Sequence, residues 1–470
     1  MKMRGLFFAN LAIILTLSVS LTGCYFEAES TDLKAYQAEH PEYAHDSEIQ
    51  MLFNDFKGLS SETLRTNAIP LKIVVTAMLM KRHDTKGTPM RREYFNQILE
   101  EYGFVNPDQI ENLKKGVPQP KFQYPMGMVR GQLDMKVGYK KVGFDLRTEI
   151  GNLSCFACHA SRTFDANGHS TNNVWLGASN SSINLQDYTN EVYQSLKYIL
   201  NKQDEFMRAV DVVYPDLGKR EKLSMEYFFY PETVHQIEKI VSKSDKILSY
   251  HNGPPGASNG IGSYKSIFGI YEAGDFDPKA NGFVSVPDIG YRAFRRNLLV
   301  DGIFSLKGEK SLTPISEEEA TAERAQELGI VAATFPTPVM GVQVKRTQET
   351  VERLKKYFGE FIYNYKSQKF PGAIDAAAAS RGEDLYRAKC MSCHGEFSAG
   401  ISSPRLILYP NRFVPIDTIG TDATRLSVID DKFMKHMNKS WTVTKLDVKI
   451  RKGYMAPILT SVWSTAPYLH

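Results

Sequence analysis

The chain has 470 residues, 42% of them hydrophobic and 23% charged, which is enough for two or three ordinary cores at about 150 residues per domain. Its 57 basic and 53 acidic residues leave a formal charge of +4, too near neutral for nucleic-acid binding to follow from net charge. There are five cysteines, and their positions carry most of the chemistry that the sequence announces.

Residues 1–23 run from a basic start, Lys2 and Arg4, through an apolar stretch from Leu6 to Val19, and end in Leu21-Thr22-Gly23 before Cys24. This is the pattern of a bacterial lipoprotein signal peptide cleaved before Cys24, which then becomes the lipid anchor. An uncleaved anchor is the alternative, but the apolar run is short for a bilayer span. Cleavage removes Lys2 and Arg4 and brings the formal charge to +2. The predicted location is the periplasmic side of a bacterial membrane. Tyr25 stands where an Asp would be the usual inner-membrane retention signal, so the expectation is the outer membrane.

Residues 24–117 are predicted to form an N-terminal helical segment. Ile49, Leu52, Phe53 and Phe56 keep a 3.6-residue stripe, as do Phe95, Ile98, Leu99 and Tyr102. From Pro118 to Gly151 the pattern changes: Gly127, Gly131, Gly138, Gly143 and Gly151 separate short apolar stretches, which predicts loops and brief strands.

Cys155-Phe156-Ala157-Cys158-His159 follows, and Cys390-Met391-Ser392-Cys393-His394 repeats its spacing near the other end. Cys-x-x-Cys-His is the signature of covalent c-type haem attachment. Two thiols add to the two porphyrin vinyl groups, and the adjacent His is held beneath the ring to ligate the iron. A zinc half-site or a thioredoxin-like pair would also use Cys-x-x-Cys. Zinc, however, needs further ligands at ligand spacing, whereas each pair here is followed at once by His. The prediction is two covalently bound haem c groups, held by Cys155, Cys158 and His159 and by Cys390, Cys393 and His394.

Beyond the first motif, the stretch from Leu185 to about Val213 is helical, with Val192, Leu196, Ile199 and Leu200 on one face. Residues 251–281 are rich in Gly, Pro, Ser and Asn and are predicted to be a long loop. Ser316-Glu317-Glu318-Glu319 has the form of a capping box. Helices are predicted from about Gln348 to Tyr365 and from Ile374 to Lys389, the second delivering Cys390. The predicted fold is mainly α: two c-type cytochrome domains, a long loop-rich insertion and the N-terminal helical segment, with boundaries at 24–117, 118–370 and 371–470.

Distal ligands are harder to read. For the first haem, His169 in Gly168-His169 is a candidate displaceable ligand, the alternative being a solvent-exposed loop histidine. For the second, Met455 in Gly453-Tyr454-Met455-Ala456-Pro457 is a candidate, beside a cluster of Met434, His436 and Met437. Any of these serves equally as a packing residue.

Several separated stretches resemble the bacterial dihaem cytochrome c peroxidase superfamily, and within it the rubber-oxygenase-like dihaem c-type cytochromes. They are Tyr124-Pro125-Met126-Gly127, Leu176-Gly177-Ala178-Ser179-Asn180, Val286-Pro287-Asp288 through Asp301-Gly302, Arg381-Gly382-Glu383-Asp384-Leu385-Tyr386, Gly420-Thr421-Asp422 and Trp463 to His470. Together with the haem motifs they cover roughly residues 120–470. In small c-type cytochromes the Gly382/Tyr386 pair is where the first helix packs on the last.

The resemblance implies that the first haem works on hydrogen peroxide or dioxygen while the second relays electrons from a redox partner protein, a small cytochrome or cupredoxin. It also places Tyr291, Arg292, Arg295 and Arg296 near the haem pair. The arginines are either propionate ligands or a solvated basic face. Rubber oxygenases carry a tryptophan just after the proline of the Pro287 segment, where this chain has Asp288-Ile289-Gly290-Tyr291; this argues against rubber as substrate. In the peroxidases more chain follows the stretch that here ends at His470, and it carries the distal Met of the second haem. The expected function is a lipid-anchored dihaem oxidoreductase, with a non-catalytic dihaem electron carrier as the alternative. The long separation of the two motifs, with its Gly/Pro-rich insertion, favours a shaped pocket and hence the enzyme.

Overall fold

The computed structural model describes residues 29–53, 69–139, 142–242, 250–267, 270, 282–334, 348–400, 404–437 and 445–465. Phe56, Cys24 and the segment before it, and residues 466–470 lie outside the described residues. The described chain is helix-rich with small sheets, in line with a mainly α expectation. None of its helices is long and apolar enough to cross a membrane.

Helices form where the apolar stripes place them. Arg92–Glu101 buries Phe95, Ile98 and Leu99, and Gln348–Asn364 buries Val351, Leu354 and Phe361. The 185–213 block is two helices, Leu185–Tyr198 and Gln203–Val213, broken where Asn201 takes a left-handed backbone conformation (φ 61°). Leu71–Lys86 is apolar on nearly all sides and is buried accordingly, ending at Gly87 in the left-handed position that glycine tolerates.

The region from Pro118 to Gly151 differs from expectation. Met128–Tyr139 and Val142–Leu153 form one antiparallel hairpin, paired from Met128 opposite Leu153 to Tyr139 opposite Val142. Gly131, Gly138, Gly143 and Gly151 lie inside this ladder and do not break it, while Gly127 precedes it. A Cβ at Gly151 would stand 2.7 Å from Leu71 Cδ1, so that glycine admits the Leu71–Lys86 helix onto the sheet. Val129, Leu133 and Ile150 fill the space beneath.

Two smaller differences have local causes. The 251–281 segment contains a helix, Gly260–Ile267, started by the Asn259 side chain accepting from Gly262 N–H (2.9 Å) and held by buried Ile261 and Tyr264. Only one arm of the predicted capping box forms, with Ser316 N–H donating to Glu319 Oε2 (3.2 Å). The helix itself begins at Ala322, where Thr321 Oγ1 accepts from Arg324 N–H.

Three hydrophobic cores result, and they cross the predicted boundaries. Leu79 shares a core with Leu133 and Val192, Phe361 with Leu406 and Tyr409, and Val351 with Val428 and Phe433. Neither the N-terminal helices nor residues 371–470 pack as a separate unit. The Ala376–Lys389 helix buries no residue, and a Cβ at Gly382 would meet nothing within 4 Å. Among the described residues no second helix covers that face. Tyr386 turns instead to the Gly395 carbonyl (2.7 Å) and the Phe397 ring.

Candidate cofactor-attachment sites

The first motif sits on a single 3₁₀ turn, Cys155–Ala157, directly after the long hairpin. The turn closes on itself, with the amides of Cys158 and His159 both donating to the Cys155 carbonyl (3.3 and 3.0 Å). It is then stapled from outside. Asn180 donates its side-chain amide to the carbonyls of Ala157 and Gly103 (3.0 Å each), while Asn180 N–H donates to Cys158 O and Gly177 N–H to His159 O. On the other side Gly127, at φ 94°, lies so close that a Cβ there would stand 2.3 Å from Ala157 Cα. The Tyr124–Gly127 and Leu176–Asn180 stretches are thus the two clamps of the Cys-x-x-Cys-His turn.

Gly127→Ala is expected to cost about 2–3 kcal/mol, because it combines positive-φ strain with a backbone clash that only movement of the turn relieves. Thermal denaturation measures the loss.

Cys155 and Cys158 are enclosed by protein yet keep accessible surface, as residues lining a cleft do. Burial pushes their thiols up to about 11 and about 12, so both stay protonated at neutral pH. Burial, and next the charge of Arg292, push His159 down to about 4, which keeps its imidazole neutral. The Pro287 carbonyl acts on the ring in the opposite sense, and Nδ1 is buried without a partner in hydrogen-bond geometry.

The second motif begins at the end of the Ala376–Lys389 helix, which Asp375 caps by accepting from the amides of Ala377 and Ala378 (2.9 Å each). The amides of Cys393 and His394 again both donate to the carbonyl of the first cysteine, Cys390. His394 Nδ1 lies 2.7 Å from the Pro457 carbonyl. A carbonyl only accepts, so Nδ1 carries the proton and Nε2 keeps its lone pair for a metal.

All four cysteines are free of disulfides. Among the described residues no three His, Cys, Asp or Glu side chains converge as a metal site, so neither cysteine pair gains the further ligands zinc needs. No family model, characterised protein or solved structure matches the chain. The residues themselves fit covalent haem: two cysteines and one imidazole on each turn, the first imidazole kept neutral by burial with an orphaned ring nitrogen and the second with its ring oriented by a carbonyl.

The remaining candidates separate cleanly. His169 occupies the exposed tip of the Ala160–Phe164/Ser170–Leu176 hairpin, with its side chain 80% exposed and 3.5 Å from Asp165. Five strand residues, Ala160–Phe164, roughly 17 Å of strand, separate that tip from His159, so His169 is not a ligand there. It is the surface histidine of the alternative reading. Met455, 2% exposed, packs its sulfur against Gly302; the contact with His394 is made by Pro457, two residues on. Met437 and Met434 belong to the third core, and His436 packs against the Tyr264 ring.

Of the three arginines, Arg296 is committed to structure, bonded to Glu309, Glu319 and the carbonyls of Thr313 and Pro314. Arg292 and Arg295 are not. Arg292 donates to the Asp288 main-chain carbonyl (2.8 Å), and burial lowers its pKa to about 10. Arg295 is 7% exposed with its Nε unpaired. Asp288 is the carboxylate whose charge acts on Arg292, but its oxygens are bonded to Tyr365, Ser367 and Gly290, and haem propionates would supply both guanidinium groups with further acceptors.

Trp175 donates to the Lys366 carbonyl, and Trp463 packs edge-on against Phe164 and Phe370, where the first-site hairpin meets the loop following Pro457. Sequence reasoning missed the carboxylate of Asp288. It accepts from Tyr365 Oη (2.6 Å), Ser367 Oγ (3.3 Å) and Gly290 N–H (2.7 Å), and burial raises its pKa. Its side-chain partners lie about eighty positions away, so no local pattern signals it. The two prolines were legible as a recurrence, Val286-Pro287 and Ala456-Pro457, each following a Cys-x-x-Cys-His.

Proposed function

We propose that the chain is a lipid-anchored dihaem c-type cytochrome on the periplasmic side of a bacterial membrane, an oxidoreductase that works on hydrogen peroxide or dioxygen at its first haem. The observation that carries this reading is the pair of Cys-x-x-Cys-His turns, each closed on its first cysteine, the second with the Pro457 carbonyl directed at His394 Nδ1. Cys155, Cys158 and His159 would hold one group, and Cys390, Cys393 and His394 the other. When bound, haem supplies one-electron chemistry and, at an open sixth position, a place for a small oxidant.

The protein's own part is positional. Asn180 and Gly127 fix the first turn, burial keeps His159 neutral, and Arg292 and Arg295 offer donors to carboxylates. At the second site Pro457 fixes the His394 tautomer, and the exposed helix before Cys390 leaves that site accessible to a redox partner such as a small cytochrome or cupredoxin. Electron paramagnetic resonance of the purified protein tests the enzymatic reading. It is expected to show a high-spin ferric signal from the first site; two low-spin signals alone would support the non-catalytic carrier. The anchor has its own test, since Cys24→Ser should release haem-loaded protein from the membrane fraction with an unchanged spectrum. Wild-type protein that is already soluble and lacks a lipid mass increment would remove the anchor from the reading.

A further inference from the structure

The two sites share more than the attachment motif. Four residues after each histidine-facing proline the chain turns left-handed at a non-glycine residue, Tyr291 (φ 56°) and Ser461 (φ 51°). A 3₁₀ turn follows in both, Arg292–Phe294 and Val462–Thr465. Phe294 N–H donates to Tyr291 O (3.0 Å), and Ser464 N–H donates to Ser461 O (2.9 Å). Pro287 to Arg295 and Pro457 to Thr465 are therefore one local structure built twice, each copy presented to one Cys-x-x-Cys-His turn.

Superposing the copies residue by residue shows where they differ. Asp288 corresponds to Ile458, Arg292 to Val462 and Arg295 to Thr465, so the charged groups belong to the first copy alone. Arg292 is held in place by its bond to the Asp288 carbonyl, with Asp288, Arg295, Tyr365 and Tyr409 as its charged or titratable surroundings. The Asp288 carboxylate is occupied by Tyr365, Ser367 and Gly290, and Arg292 bonds the main-chain oxygen. Val462, by contrast, is 40% exposed.

We propose that Arg292 is a positioning residue that makes the first haem site electronically unlike the second: a fixed cation on the segment that Ile289 N–H ties to Gly177 O, as Gly177 N–H is tied to His159 O, which raises the reduction potential of the iron bound there. The proposal rests on the haem reading above. Its physics is elementary. Ferric-to-ferrous reduction adds one electron and lowers the charge of the site by one, so a nearby buried cation favours the reduced form, more strongly the less water screens it.

Spectroelectrochemical titration of the full-length haem-loaded protein tests this with Arg292→Val, Arg292→Lys and the reciprocal Val462→Arg. Arg292→Val should move one of the two midpoints downward and leave the other in place, and Arg292→Lys should hold both near wild type. Val462→Arg should move the other midpoint upward by a smaller amount, since its position is partly exposed. Unchanged midpoints in Arg292→Val, or a fall in Arg292→Lys as large as in Arg292→Val, would overturn the proposal. Should Arg292→Val fail to fold, a Val462→Arg protein with no upward shift overturns it independently. A wild-type protein with fewer than two haems would mark the failure of the cofactor reading itself, seen before any titration begins.

Discussion

Pyridine-haemochrome assay of the wild-type protein should return two haems per chain, and Cys155→Ala/Cys158→Ala should return one. The expected loss is total at the affected site because c-type attachment has no partial substitute: without thioethers the group is held only by one imidazole and packing. The remaining haem should be unperturbed, since Cys390 and Cys393 sit on a different turn with its own histidine and its own proline carbonyl. The reciprocal Cys390→Ala/Cys393→Ala protein should also retain one haem, at Cys155 and Cys158. Fewer than two haems in the wild type would sink the central reading.

Histidine replacement should separate the two sites functionally. Loss of His394 is expected to leave a protein whose first haem still binds cyanide but which no longer reduces peroxide with an external electron donor. Loss of His159 is expected to abolish cyanide binding. The asymmetry follows from the surroundings. Burial and the charge of Arg292 act on His159, whereas His394 follows an exposed helix on which an electron donor can dock. Cyanide titration and a peroxide-reduction assay on both variants decide the matter. If the His394 variant loses cyanide binding and the His159 variant keeps it, the assignment is reversed; a wild type that binds no cyanide favours the carrier.

What the sequence determined by itself is the chemistry that lies within a few residues. Cys-x-x-Cys-His is a local code, because the two thiols and the imidazole must share one turn, and both turns close on their first cysteine as that spacing requires. The helices at Arg92–Glu101 and Gln348–Asn364 were legible for the same reason, their 3.6-residue stripes being short-range signals.

The tertiary structure alone decided whatever depends on distant partners. Strand alternation in Met128–Leu153 was masked by glycines, one of which, Gly151, makes room for the helix from residues 71–86. His169 and Met455 had plausible spacing, but spacing along the chain fixes no direction: a hairpin carries His169 away from His159, and a strand turns Met455 onto Gly302. Which partners reach each arginine was likewise a matter of the folded chain: Glu309 and Glu319 bond Arg296, while Arg292 bonds the Asp288 main-chain carbonyl.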